Sequence, residues 1–229
     1  YSPESPNACW PWPPGSGTTG PPASPANDHS PPTTTDQQLH GIIHLGAPIE
    51  DEFGRFGEPT DPKQIAAALD EGLDALALLW SGEPVDYRGE HVLLDDVLCL
   101  PTPLQRPRIP IWVAGRWPNK PPMRRAARWD GVIPLLPGTE TGQVPSPADV
   151  TRLVNYIADH RAEANVHDQP FDVVIGGTTT PTTAAVEHVA RVADAGATWW
   201  DEQRPFDDHV GELDPVLRRI EQGPPRITV

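Results

Sequence analysis

Sulfur is scarce in this 229-residue chain, with two cysteines and one methionine. Cys9 and Cys99 form neither a CxxC motif nor a disulfide framework, which points to a reducing compartment, the cytoplasm. Met123 is the only methionine, so no initiator stands at the start. The opening Tyr1-Ser2-Pro3-Glu4 lacks the charged n-region and apolar core of a secretory leader, and the chain reads as processed or incomplete. No apolar run is long enough to cross a bilayer, in keeping with a mean hydropathy of -0.44. Basic residues are also few. The 17 Lys and Arg against 32 Asp and Glu give a formal net charge of -15, a field that repels phosphate backbones and anionic lipid and favours solubility. Nucleic acid and membrane surfaces are therefore poor partners. Walker loops, GxGxxG and a Ser-His-Asp arrangement are missing. His40 and His44 lie four apart with no third ligand nearby, so no metal site is expected. Glu50-Asp51-Glu52 and Asp201-Glu202 could form the acid–base pair of a glycosidase, but no substrate-binding aromatic set accompanies them.

What is abundant is proline, and it is concentrated at the start. Pro3, Pro6, Pro11, Pro13, Pro14, Pro21, Pro22, Pro25, Pro31 and Pro32 sit among Gly, Ser, Thr and Asn without apolar periodicity. Such a stretch cannot offset the entropy of ordering, so residues 1–40 read as disordered or polyproline-like. Trp10-Pro11-Trp12-Pro13-Pro14 is a candidate docking peptide within it.

From residue 41 to 229 the punctuation is that of one domain. Gly41–Leu45 is a short strand. Asp61 and Pro62 open a helix carrying Ile65, Leu69, Leu73, Leu76 and Trp80 on one face. A hairpin spans Val85 to Leu94 around Arg88-Gly89. Strand-then-helix pairs follow. Ile109–Ala114 precedes a helix from about Pro122 to Trp129. Gly131–Leu136 precedes one opened by Ser146-Pro147-Ala148-Asp149. Phe171–Ile175 precedes one carrying Val186, Val189, Ala190 and Ala193. Ala197–Trp200 is the last strand, and Asp214-Pro215 starts a final helix.

Apolar strands alternating with one-sided helices predict an α/β fold with a parallel sheet, either doubly wound or barrel-like. About five strands are visible where a complete (β/α)8 barrel needs eight. Two strand ends suit a ligand phosphate. Val113-Ala114-Gly115-Arg116-Trp117-Pro118 combines a glycine for close backbone approach, a fixed cation and a following helix N-terminus. Gly115 could equally do no more than turn the chain. Gly176-Gly177, followed by the hydroxyls of Thr178, Thr179 and Thr180, is a second such end, or a flexible loop. Trp199 and Trp200 must point to opposite faces of their strand, one into the core.

Several strings carry a family resemblance. They include Leu45-Gly46-Ala47-Pro48, Asp51 to Pro59 (DEFGRFGEP), Leu69-Asp70-Glu71-Gly72-Leu73, Leu79 to Val85 (LWSGEPV) and Tyr87-Arg88-Gly89-Glu90-His91. The most specific are Pro101 to Pro118 (PTPLQRPRIPIWVAGRWP) and Arg125 to Pro134 (RAARWDGVIP). In this order and spacing the chain resembles the C-terminal half of luciferase-like monooxygenases, the flavin- or F420-dependent oxidoreductases. The resemblance implies an incomplete TIM (β/α)8-type barrel whose visible strands match the fourth to the eighth. It implies FMN or F420 as cofactor, with Ala114, Gly115 and Arg116 at its phosphate. Gly176 and Gly177 are the second cofactor-binding candidates, on barrel geometry. Members of the family carry three earlier strands where this chain has the proline-rich tract, as expected of a truncation, a fusion or an upstream frame shift. Residues that would touch the ring belong largely to that other half, so no catalytic side chain is assigned. The expected partners are a small-molecule substrate and a homo- or hetero-oligomer. The alternative function is a non-catalytic luciferase-like partner subunit or binding protein.

Overall fold

Repeated switching between extended apolar runs and helix-period runs places most of the elements seen. The computed structural model describes residues 8–11, 41–43, 54–139, 144–180, 182–203 and 213–223. In chain order these form β1 (Ala8–Pro11), β2 (Gly41–Ile43), α1 (Pro62–Leu79), β3 (Val85–Arg88), β4 (Leu93–Val97), β5 (Ile111–Arg116) and α2 (Lys120–Ala126). Then come β6 (Gly131–Leu135), α3 (Pro147–Glu163), β7 (Asp172–Gly177), α4 (Thr183–Asp194), β8 (Trp199–Glu202) and α5 (Leu213–Gln222). The expectations for His40, His44 and Glu50-Asp51-Glu52 lie outside the described residues, as does the expected disorder of residues 1–7 and 12–40. Ala8–Pro11, inside the proline-rich tract, is a strand.

Two compact units divide the chain. One comprises Leu39–Ile133 with Ile157–Phe171, the other Tyr1–Gln38, Pro134–Tyr156 and Asp172–Val229. The backbone passes from one to the other within β6 and within α3.

In the unit containing β5, α1 begins where the sequence places it. Pro62 opens the helix and the Asp61 carboxylate accepts the Lys63 amide at 3.2 Å. Its Glu71 accepts three amides of the hairpin turn, from Glu90 (2.9 Å), His91 (2.7 Å) and Val92 (2.9 Å), so one carboxylate pins the β3–β4 ribbon. Asp70 on the same helix takes a two-point bond from the buried Arg125 of α2 at 2.7 and 2.8 Å, and Arg125 also donates to the Ala66 carbonyl at 3.1 Å. β5 pairs in parallel with β2, Ile42 opposite Trp112. Ile111, Trp112 and Val113 are all buried, as expected of a parallel strand covered on both faces. Asp130 accepts the Ile111 amide at 2.7 Å and pairs with Arg108, which lies over the Trp129 ring.

Arg161, on the part of α3 assigned to this unit, is buried without a carboxylate among its hydrogen-bond partners. Its guanidinium donates to the carbonyls of Ala127 (3.2 Å), Trp129 (3.1 Å), Val166 (2.8 Å) and Gln169 (2.8 Å) and stacks over Phe171. Desolvation pulls its pKa below the usual arginine range, opposed by the charge of Asp130.

In the other unit β7 and β8 run parallel, Val174 opposite Trp199 and Gly177 opposite Glu202, and β1 lies antiparallel along β8. Val173, Val174 and Ile175 are buried together with Val150, Leu153 and Trp200. Thr182 caps α4 through the Ala185 amide at 3.3 Å. Among the described residues, no helix is long and apolar enough to cross a membrane.

Candidate functional site

Both glycine-bearing strand ends lie where parallel α/β folds place their ligands, at the C-terminal ends of strands. They fall in different units.

Ala114, Gly115 and Arg116 are the last three residues of β5, with Arg116 exposed. The missing side chain of Gly115 serves the protein itself. A Cβ there would stand 2.3 Å from Cβ of Pro122 and 3.0 Å from the Met123 methyl, so glycine is needed for α2 to close on the strand. The helix that follows is a weak anion receptor. It has seven residues, its Asn119 cap makes no side-chain bond, and Pro121 and Pro122 contribute no N–H to the first turn. The attraction this end offers an anion is that of the Arg116 guanidinium and the strand terminus, not of a helix N-terminus.

Gly176 and Gly177 are the last two residues of β7, and they face opposite sides of the sheet. Gly177 shares a face with its partner Glu202, and a Cβ on it would meet the Trp200 ring at 2.6 Å. On that face Glu202 is buried and fully engaged. It accepts the Thr179 amide and hydroxyl, both at 2.7 Å, the Trp200 indole N–H at 2.9 Å, and Arg219 of α5 at 3.2 Å. Arg219 also donates to the Thr179 hydroxyl at 2.9 Å and the Gly223 carbonyl at 2.6 Å. Backbone N–H, hydroxyl, indole and guanidinium converging on one anion make the donor set a phosphate would require, and the chain fills it with its own carboxylate. The neighbouring hydroxyls are engaged too, Thr178 to the Gln203 carbonyl at 2.7 Å and Thr180 with Thr182 at 3.3 Å.

The other face carries Gly176, Asp201 and Gln203. Gln203 donates from Nε2 to Asp201 at 3.0 Å, and its amide fills the place of a Gly176 side chain, 2.2 Å from where a Cβ would stand. Asp201 and Glu202 therefore point to opposite sides of β8, which excludes them as a facing acid–base pair of the glycosidase kind. Of the tryptophans, Trp200 is buried in the core, and Trp199 donates its indole N–H to Asp172 at 2.9 Å. Sequence alone does not single out Gln203 or Arg219. For Gln203 a signal existed, two-residue alternation with Asp201 at a strand end; for Arg219 there was none, because its partner lies on a different element. Among the described residues no group of three or more His, Cys, Asp and Glu could hold a metal ion.

Comparison with known proteins agrees with this architecture. A solved F420-dependent secondary alcohol dehydrogenase, in complex with an F420–acetone adduct, superposes with a TM-score of 0.50 at 15% identity, over 67% of this chain and 44% of that one. The coenzyme F420-dependent tetrahydromethanopterin reductase of Methanopyrus kandleri gives 0.46 at 20% identity over 64% and 44%. The monooxygenase RslO1 of Streptomyces bottropensis gives 0.48 at 22% over 69% and 46%. An uncharacterized protein of Sinorhizobium fredii (strain NBRC 101917 / NGR234), y4wF, is 36% identical over 89 residues, 39% of this chain and 23% of its own length. The chain thus spans less than half the length of these relatives. The class is α/β, with part of a TIM (β/α)8-type barrel in this chain. The luciferase-like monooxygenase family model matches residues 42–215, and the chain belongs to that family.

Proposed function

We propose that this chain contributes the later βα units of a flavin- or F420-dependent oxidoreductase acting on a small organic substrate in the cytoplasm. The observation that carries the reading is the end of β5. Inside the family match, an exposed arginine follows Ala114 and Gly115 at the C-terminal end of a parallel strand. Ala114, Gly115 and Arg116 hold the phosphate-bearing tail of FMN or F420, Arg116 through charge-assisted bonds. Gly176 and Gly177 shape a second strand end, where backbone and the Gln203 amide, rather than threonine hydroxyls, line the surface. When bound, the cofactor supplies hydride transfer in the case of F420, or oxygen activation in the case of reduced FMN. The protein orients the ring and keeps water away from it. Substrate enclosure requires more strands than the described residues form, as assembly with another chain would supply.

The test is a fluorescence titration of the full chain with FMN, with F420 and with riboflavin, which lacks the phosphate. The expected result is tighter binding of a phosphate-bearing form than of riboflavin. Arg116→Ala should erase that preference. Equal affinity for FMN and riboflavin, with no F420 binding, overturns the reading and favours a non-catalytic partner subunit.

A further inference from the structure

We propose that the side-chain amide of Gln203, clamped by Asp201, recognises a lactam edge, a ring N–H beside a ring C=O, on the ring system bound at the C-terminal end of β8. The inference rests on the cofactor reading above and specifies which atoms of the chain read the ring.

Gln203 is held at three points. Its backbone amide donates to the Gly177 carbonyl at 2.7 Å, extending the β7–β8 ladder one rung past the strand. Its own carbonyl accepts the Thr178 hydroxyl at 2.7 Å. Its Nε2 donates to Asp201 Oδ2 at 3.0 Å. Asp201 is itself buried, at 7% exposure, so the clamp is not a loose surface pair. The cost of the arrangement falls on Gly176. Any side chain there would strike the amide, with Cβ 2.2 Å from Nε2 and 2.7 Å from Cδ. That close approach is a physical reason for glycine at position 176 that involves no phosphate.

The clamp also fixes which way the amide points. Nε2, not Oε1, faces Asp201 and donates to its Oδ2. One Nε2 hydrogen is then spent and one remains to donate, and among the described residues nothing donates to Oε1. A half-buried donor–acceptor pair of fixed orientation, at the end of parallel strands, is the complement of a cyclic amide. Oε1 takes the ring N–H while Nε2 gives to the adjacent ring carbonyl. The neighbouring Asp201 carboxylate disfavours phosphate at this face, separating the role of this strand end from that of a phosphate cradle. Isoalloxazine and deazaflavin rings share the pyrimidinedione edge, so the contact admits FMN and F420 alike.

The experiment compares FMN, F420 and an FMN methylated at the ring N3, each titrated by fluorescence into the full chain, its Gln203→Ala variant and its Asp201→Asn variant. The wild type should prefer FMN over the N3-methyl form by about tenfold, the worth of roughly one hydrogen bond. Gln203→Ala, titrated well below its melting temperature, should reduce that ratio to about one. Asp201→Asn, which touches no ligand, should lower it part way by letting the amide turn over. Binding of FMN with no discrimination in the wild type, or with undiminished discrimination in Gln203→Ala, overturns the inference and leaves the cofactor reading standing. No binding of either cofactor by the wild type overturns both.

Discussion

The ends of β5 and β7 look alike in sequence, each a glycine-bearing turn after an apolar run, yet they are built differently. At the end of β5, Gly115 faces the rigid ring of Pro122, and packing of α2 fills its side. At the end of β7, Gly177 faces the Trp200 ring while Gly176 faces the side-chain amide that Asp201 holds, and a hydrogen-bonded network around Glu202 fills the core side. A glycine at a strand end is room, and the chain itself is the first claimant to that room. Only the polar groups beside it tell whether a ligand is a second claimant.

The contrast can be broken most severely at Glu202. Glu202→Leu leaves Arg219 without its buried partner and strips acceptors from Thr179 and Trp200, and should cost about 3 kcal/mol or more in urea denaturation. Combining it with Arg219→Met should recover much of the loss, because an apolar pair leaves no charge to satisfy. If the single variant melts like the wild type, the network is not what holds α5.

Next come the glycines, which rank the two ends against each other. Gly115→Ala and Gly177→Ala push a methyl into rings that cannot swing away, and each should cost about 1–3 kcal/mol by thermal unfolding. Gly176→Ala meets only the end of the Gln203 side chain, which can move aside by giving up its bond to Asp201, and should cost about 1 kcal/mol, less than the other two. A larger loss at Gly176 than at Gly115 would reverse the account of which end is rigid.

The smallest effect is expected at Glu71. The His91 amide, then those of Val92 and Glu90, hold its carboxyl below the usual glutamate range, against the opposing desolvation. With the folded pKa depressed, the stabilisation is present above the unfolded glutamate pKa and is lost as pH falls through the folded value. Hydrogen exchange at Glu90, His91 and Val92 should therefore speed up at acid pH relative to the rest of the ribbon. Glu71→Gln should flatten that dependence; an unchanged profile in the variant would place the effect elsewhere.

Periodicity made the elements legible, and local chemistry set where they start. The helical face of Ile65, Leu69, Leu73 and Leu76 with Asp61 as cap located α1 to within a residue or two. The strand read as Ile109–Ala114 is Ile111–Arg116, because Pro110 has no N–H for a ladder and the Ile111 amide is taken by Asp130. The apolar run predicts the last strand over Ala197–Trp200, whereas it spans Trp199–Glu202. Two acids in a buried strand look improbable until Gln203 and Arg219 are seen to receive them, and Arg219 stands 17 residues from Glu202. Ala8–Pro11 carries no strand signal of its own, since the edge it follows is supplied by β8. The site was legible to the same degree. Composition and motif located the strand ends, and they could not show which donors the chain had already spent on itself.

Arg161 carries one more consequence, for how this polypeptide can be cut or recombined. Two of its carbonyl partners, on Ala127 and Trp129, lie more than thirty positions upstream, and two, on Val166 and Gln169, lie just downstream. A fragment ending at Ile133 would keep β5 and α2 yet lose the one guanidinium that answers both upstream carbonyls. Exchange of segments between relatives should therefore succeed only when the stretch through Phe171 travels with them, which makes residues 157–171 part of the inheritance of a unit they do not adjoin in sequence.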